Sequence, residues 1–184
     1  IKKLKPTGSV GPDNIHPLFV ISCCGFLVKP LGALFNDSLH HSTFPLFWKS
    51  ACVTPIFKIG DASDVRNYRP ISIIGVIAKV FDSIIADKLY CLVVNKICSQ
   101  QHGFVRGKSV VSNLLIYSDF IAEALDRSLQ VDPLYTDFAK AFDSVSHVLL
   151  VDKLRGFGVD DHFIRWVYSY LCGRTQQVRL RGVC

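Results

Sequence analysis

The chain has 184 residues, of which 49% are hydrophobic and 20% charged, a balance that excludes an intrinsically disordered polymer and gives enough apolar surface for one domain or for part of a larger one. Its formal net charge of +6 is gathered into groups: Lys2, Lys3 and Lys5; Lys58, Arg66 and Arg69; Arg106 and Lys108; Arg174, Arg179 and Arg181. Such grouping suits a polyanionic partner, nucleic acid first, although any single group also fits a solvated, mildly basic surface.

In chain order, residues 1–17 are basic and turn-rich, with Gly8, Gly11-Pro12 and Asp13-Asn14 as breakers. Apolar residues from Leu18 to Leu39 recur at helical spacing and predict two short helices, broken near Gly25 and at Lys29-Pro30. The apolar run within them, Pro17 to Val28, is far short of the about 20 residues that cross a bilayer, so no membrane span is expected. Cys52 to Phe57 has strand composition, with Pro55 implying an edge position, and Tyr68 to Ile71 reads as its returning partner. The hairpin so formed sets Lys58 on one shoulder and Arg69 on the other. Two such cations can grip a triphosphate or a phosphate backbone, and they would equally blunt an exposed sheet edge.

From Gly75 to about Asn95 the residues Ile77, Phe81, Ile84, Ile85, Leu89 and Leu92 mark the core face of a helix. Gln101 to Ser109 interrupts the pattern with Gly103, Phe104, Arg106, Gly107 and Lys108, a loop suited to approach phosphates closely or to serve as a plain surface turn. A second helix is expected from about Ser112 to Leu129, with Leu114, Tyr117, Ile121, Leu125 and Leu129 inward. Leu134, Tyr135 and Phe138 then predict a buried strand that carries Asp137 at its end. A helix through Phe142, Val145, Leu149 and Leu154 follows, with Asp143 in its first turns and a stop at Gly156-Phe157-Gly158. On spacing alone the two acids also fit a structural aspartate followed by a helix-start aspartate. Asp161 to Leu171 predicts one more helix, with Phe163, Trp166, Val167 and Tyr170 as core residues. Gln177 to Arg181 alternates as a half-buried strand with its arginines outward.

Seven cysteines form an odd set without a C-x-x-C pair, which argues for reduced thiols in a nuclear or cytoplasmic setting and against a disulfide framework or zinc site. There is no methionine, and the chain stops just past the last strand-like run, so the sequence reads as an excerpt.

Several of these stretches, in order, resemble the reverse transcriptase domain of non-LTR (LINE-type) retrotransposons. Gly11-Pro12-Asp13-Asn14-Ile15 is similar to the family's G-x-D-x-I motif. Pro55-Ile56-Phe57-Lys58 with Asn67-Tyr68-Arg69-Pro70-Ile71-Ser72 is similar to its fingers motif, and Gln101 to Ser109 to its Q-x-G-F-x-x-G-x-S motif. Asp137 to Val145 resembles motif A, and Trp166 to Leu180 the segment after it.

The resemblance implies an α+β, right-hand polymerase of which this chain holds an upstream helical extension (about 1–50), fingers (about 51–133) and the start of the palm (about 134–184). The remaining palm strands and the thumb are missing. It implies an RNA template, a DNA primer, deoxynucleoside triphosphates and two Mg2+ ions as the partners of the complete enzyme. Asp137 would ligate magnesium and Phe138 would lend its backbone carbonyl. Lys58 and Arg69 would meet the triphosphate, and Phe142 would lie beneath the incoming sugar. Gly103, Phe104, Arg106 and Lys108 would contact nucleic acid. Two closely spaced ions would activate the primer hydroxyl and steady the leaving pyrophosphate, with hard carboxylate oxygens as ligands. The family's P-Q-G-S and aromatic-Ala-Asp-Asp motifs do not occur in the chain. It is therefore expected not to polymerise alone. A binding-only remnant, or a basic interaction module unrelated to polymerases, are the other readings.

Overall fold

The computed structural model describes residues 1–180. The chain forms two compact units, one of residues 1–92 with 146–184 and one of residues 93–145. Its elements are mixed α and β, with a three-stranded sheet in the first unit. No helix of the described residues is long and apolar enough to cross a membrane.

The first unit begins with α1 (Pro17–Ser22) and α2 (Cys24–His40). The predicted break near Gly25 falls at Cys23, which caps both helices, whereas Pro30 sits inside α2 as its seventh residue. The strand β1 (Ser50–Phe57) follows, then β2 (Tyr68–Ile74) and α3 (Val76–Val93). In the second unit α4 (Val110–Asp126) is the sole α-helix among the described residues. Helices α5 (His147–Gly156) and α6 (Asp161–Leu171) and strand β3 (Thr175–Val178) complete the first unit.

The strand order is β2-β1-β3, with β1 antiparallel to β2 and parallel to β3. This corrects the edge position expected for β1, and the register gives the reason that Pro55 is still tolerated. The β3 register runs from Ser50 to Val53 of β1 and stops short of Pro55 among the described residues. Opposite, Pro55 faces Pro70, two residues that both lack an N–H. β3 is exposed along its length, not half-buried. Its neighbour Arg179 does not point outward: the guanidinium reaches the Val10 carbonyl at 3.2 Å and the Cys52 thiol at 3.5 Å. Arg181 lies outside the described residues.

The core of this unit is aromatic. Phe35 stacks on Phe81 with ring centroids 4.3 Å apart, Trp48 and Trp166 pack edge-on against this pair, and Phe44 lies nearly parallel to Phe81 and edge-on to both tryptophans. Trp166 donates its indole N–H to Ser38 Oγ at 2.9 Å, and Ser38 Oγ donates to the Thr43 carbonyl at 2.7 Å. The Phe44 amide is capped by Ser169 Oγ at 3.0 Å. The core role expected of Trp166 and Val167 is thus observed. On α3 the buried residues are Val76, Ala78, Val80 and Phe81, while Ile84 and Leu92 of the expected inward face are exposed.

The Gly11-Pro12-Asp13 motif has a structural explanation. Asp13 Oδ2 accepts from the Val76 amide at 3.1 Å, capping the start of α3, and Oδ1 accepts from the Ile15 amide at 3.2 Å. A Cβ on Gly75 would stand 2.5 Å from Asp13 Oδ2, and one on Gly11 would stand 2.6 Å from the Ile74 carbonyl. A side chain at Gly11 would collide with backbone, and one at Gly75 would push the Asp13 carboxylate off its cap.

Asp82 of α3 accepts from the Tyr170 hydroxyl at 3.2 Å, and its Oδ1 is buried without a hydrogen-bond partner among the described residues. Burial raises its pKa above the ordinary carboxylate value, against the opposing pull of the Tyr170 hydrogen bond and the Arg174 charge.

In the second unit, α4 opens at Ser109, whose side chain accepts from the Ser112 amide while Ser112 Oγ accepts from the Ser109 amide. Ala124 is its one buried residue; Leu114, Tyr117, Leu125 and nearby Leu129 of the expected inner face are all exposed. Two further expectations are corrected here. Residues 131–138 have no regular secondary structure, and Leu134, Tyr135 and Phe138 are 89%, 79% and 81% exposed, so no buried strand delivers Asp137. A strand needs a neighbour to take its N–H and C=O groups, and no residue of the second unit is in a strand. Nor does a helix start in the motif. Residues 139–144 form turns in which Lys140 has φ +50°, a left-handed conformation that interrupts right-handed helical winding, and α5 begins only at His147 behind the Ser146 cap.

Candidate nucleotide and nucleic-acid site residues

In the first unit, Lys58 and Arg69 stand on the β1–β2 hairpin. The pairing Ile56 to Arg69 and Phe57 to Tyr68, continued by the Lys58 amide donating to the Asn67 carbonyl at 2.9 Å, puts Lys58 and Arg69 on one face as a diagonal pair. Phe57 and Tyr68 occupy the other face, with ring centroids 5.4 Å apart. The connecting loop is well tied: Asp61 accepts from the Ser63 amide and hydroxyl, and the Tyr68 hydroxyl donates to the Ala62 carbonyl at 2.8 Å. Gly60 turns this loop at φ +100°.

The three cations of this cluster differ. Arg66 is paired with Asp64 at 2.8 Å, an interaction that lowers the pKa of Asp64 and raises that of Arg66. Lys58 and Arg69 are exposed and have no ion pair with a described residue. The hairpin thus presents two uncompensated cations on one face, an arrangement that can hold an anion with several oxygens.

In the second unit, Asp137 lies between two aromatic contacts. Before it, the Tyr135 and Tyr117 hydroxyls share a hydrogen bond of 2.8 Å, which ties the extended segment to α4 and raises the pKa of Tyr117. After it, the Phe142 ring meets Phe104 edge-on, with centroids 5.8 Å apart and planes at 90°. Asp137 and Asp143 are exposed, without an ion pair to a described residue. Open carboxylate oxygens on Asp137 suit a hard cation, but no group of three or more His, Cys, Asp or Glu side chains able to hold a metal occurs among the described residues. The donor set fits a single ligand to magnesium and does not amount to a metal site.

The loop before α4 gathers Gly103, Phe104, Arg106 and Lys108. Gly107 and Phe104 both have positive φ, +76° and +61°. Lys108 uses its ammonium inside the loop, donating to the carbonyls of Ser99 and of Gln101, the latter at 3.0 Å. The sequence motifs named the residues of both units. They did not reveal the Tyr117–Tyr135 and Phe104–Phe142 contacts, for which the sequence offers only the presence of aromatics.

Residues 58–183 match the family model described as reverse transcriptase (RNA-dependent DNA polymerase). The chain belongs to that family, and its similarity to retrotransposon polymerases is specific. It is 28% identical over 99% of its length to a probable RNA-directed DNA polymerase from transposon BS of Drosophila melanogaster, covering 20% of that protein. It is 31% identical over 81% of its length to a probable RNA-directed DNA polymerase from transposon X-element of the same species, covering 17% of it. With a retrovirus-related Pol polyprotein from type-1 retrotransposable element R2 of Popillia japonica it shares 26% identity over 74% of the chain and 19% of the relative. The relatives are those of non-LTR retrotransposons, and the chain spans about a fifth of their length.

Proposed function

We propose that the chain is the fingers and first palm portion of an RNA-directed DNA polymerase that copies retrotransposon RNA into DNA. The observation that carries this reading is the family match over residues 58–183, which takes in the hairpin cations and Asp137. The boundaries of about 1–50, 51–133 and 134–184 for extension, fingers and palm start belong to the same proposal.

In this reading Lys58 and Arg69 bind the triphosphate of the incoming nucleotide, an assignment supported by their shared hairpin face and lack of carboxylate partners. Permanent cations there neutralise charge that builds on the phosphates as the bond breaks. Asp137 supplies one magnesium ligand, and the Phe138 carbonyl a second oxygen. Phe142 packs under the sugar and disfavours a 2′-hydroxyl. Gly103, Phe104 and Arg106 approach the nucleic-acid backbone; Lys108 contributes by bracing that loop.

A single aspartate ligand is too few for two-metal chemistry, so the 184-residue chain alone is proposed to be inactive. The test has two arms. The purified chain, given magnesium, an RNA template with an annealed DNA primer, and all four deoxynucleotides, is expected to give no extension; extension would overturn the inactivity. The complete polymerase frame proposed to contain the chain is expected to extend the primer, and Asp137→Ala to abolish extension while leaving RNA affinity within about twofold, since Asp137 contacts no phosphate directly. RNA binding by a frame that never extends would instead support the binding-only remnant.

A further inference from the structure

Loop 98–109 is braced from within. The Gln101 amide donates to Cys98 at 3.0 Å, the Val105 amide to His102 at 3.3 Å and the Lys108 amide to Val105 at 3.2 Å, three successive backbone turns. The His102 side chain is buried, with Nδ1 2.8 Å from the Gln100 carbonyl. The Lys108 ammonium ties Ser99 and Gln101 together, and the capping box at Ser109 fastens the loop to α4.

This framework holds Phe104 in a left-handed conformation, φ +61°, which a bulky side chain adopts only where its surroundings impose it. The ring it presents is the one that meets Phe142 edge-on. Edge-to-face is the geometry that the ring quadrupoles favour, so the contact fixes a plane as well as a distance. Phe142 remains 78% exposed, which leaves most of its surface open.

We infer that Phe104 is a positioning residue for Phe142, fixing the plane of that ring and thereby the preference for deoxyribonucleotides over ribonucleotides. The inference rests on the reading of Phe142 as the residue beneath the incoming sugar. An aromatic ring excludes a 2′-hydroxyl only if it cannot swing aside. An exposed phenylalanine moves between staggered rotamers. The Phe104 ring is itself 90% exposed, but it stands on a backbone held by the braced loop, and at 5.8 Å it closes off one direction of the Phe142 swing.

The test uses the complete polymerase frame and compares kcat/KM for a deoxynucleotide with kcat/KM for the matching ribonucleotide on one RNA template. Phe104→Leu is expected to lower the ratio of the two by about three- to tenfold, the scale of one aromatic pair, through faster ribonucleotide incorporation. Phe104→Tyr keeps the ring edge and is expected to retain the ratio. An equal loss for both nucleotides, with the ratio unchanged, would mean a merely structural role and overturn the inference. Should the leucine variant fail to fold, Lys108→Met loosens the loop without touching either ring and is expected to lower the ratio in the same direction; an unchanged ratio there overturns the inference as well. A wild-type frame that extends no primer overturns the polymerase reading and this inference together, whereas an active frame with an indifferent ratio overturns this inference alone.

Discussion

In the first unit a cluster of aromatic side chains is buried against itself, whereas in the second the aromatic pairs Phe104–Phe142 and Tyr117–Tyr135 are exposed. Phe44, Phe81 and Trp166 are almost fully enclosed, pinned by Ser38 and Ser169. Helix α4, with Val110, Val111, Leu114, Leu115, Ile116 and Phe120 exposed, encloses only Ala124. Both regions have helical apolar periodicity, so that pattern reports the helix and says nothing about what covers it. One unit holds its shape by side-chain burial, while the other relies on caps, turns and a few aromatic contacts. Burial stabilises by about 25 cal/mol per Å² of apolar surface removed from water, and α4 gains little of it.

The largest expected effect follows from breaking the aromatic core. Trp166→Ala should destabilise the chain by about 3–5 kcal/mol in urea unfolding followed by circular dichroism. Leu115→Ala on α4 should change it by less than about 0.5 kcal/mol, and a loss approaching that of Trp166→Ala would erase the contrast between the units. Next, Ser38→Ala leaves the Trp166 indole N–H buried without its acceptor and should lose about 1–3 kcal/mol by the same assay. Asp13→Ala, which uncaps α3, should lose about 1 kcal/mol; no loss would mean that the Gly11–Asp13 turn is irrelevant to the helix.

A pH dependence sharpens the comparison further. The folded-state pKa of Asp82 is raised above the 3.8 of an ordinary aspartate, so the folded chain holds a proton that the unfolded chain has released. The stability this contributes is full below 3.8 and is lost as pH rises through the folded value. Thermal midpoints of Asp82→Asn should therefore gain on wild type as pH rises above 3.8, and a constant difference would sink the assignment. The smallest effect on stability is expected from Tyr117→Phe, because the pair is exposed. A spectrophotometric titration should then lose one of the three tyrosines raised above the ordinary value, the one held up by its hydrogen bond to Tyr135.

Helices α3, α4 and α6 and the β1–β2 hairpin were legible because each announces itself locally, through spacing or through turn residues. The strand expected at Leu134 to Phe138 was not, since apolar composition becomes a strand only when a neighbouring edge receives it. Pro55 misled for a related reason: β1 is central over Ser50–Val53, where β3 pairs with it, and that register stops short of Pro55 among the described residues, a distinction that exists only once β3 arrives. Among the candidate site residues, motifs named Lys58, Arg69, Phe104 and Asp137. The pairing of Arg66 with Asp64 and the internal use of Lys108 depend on side-chain reach, which no motif encodes.

The bond from Trp166 to Ser38 joins residues 128 positions apart. At ribosomal rates of about 5–20 residues per second, Ser38 has left the site of synthesis roughly 6–26 seconds before Trp166 is made. Until then Phe35 and Phe44, and Phe81 once it has been made, lack their closing partner. The nascent chain thus offers a sticky aromatic surface to chaperones and to other nascent chains, and its yield in a cell depends on what reaches that surface before Trp166 does.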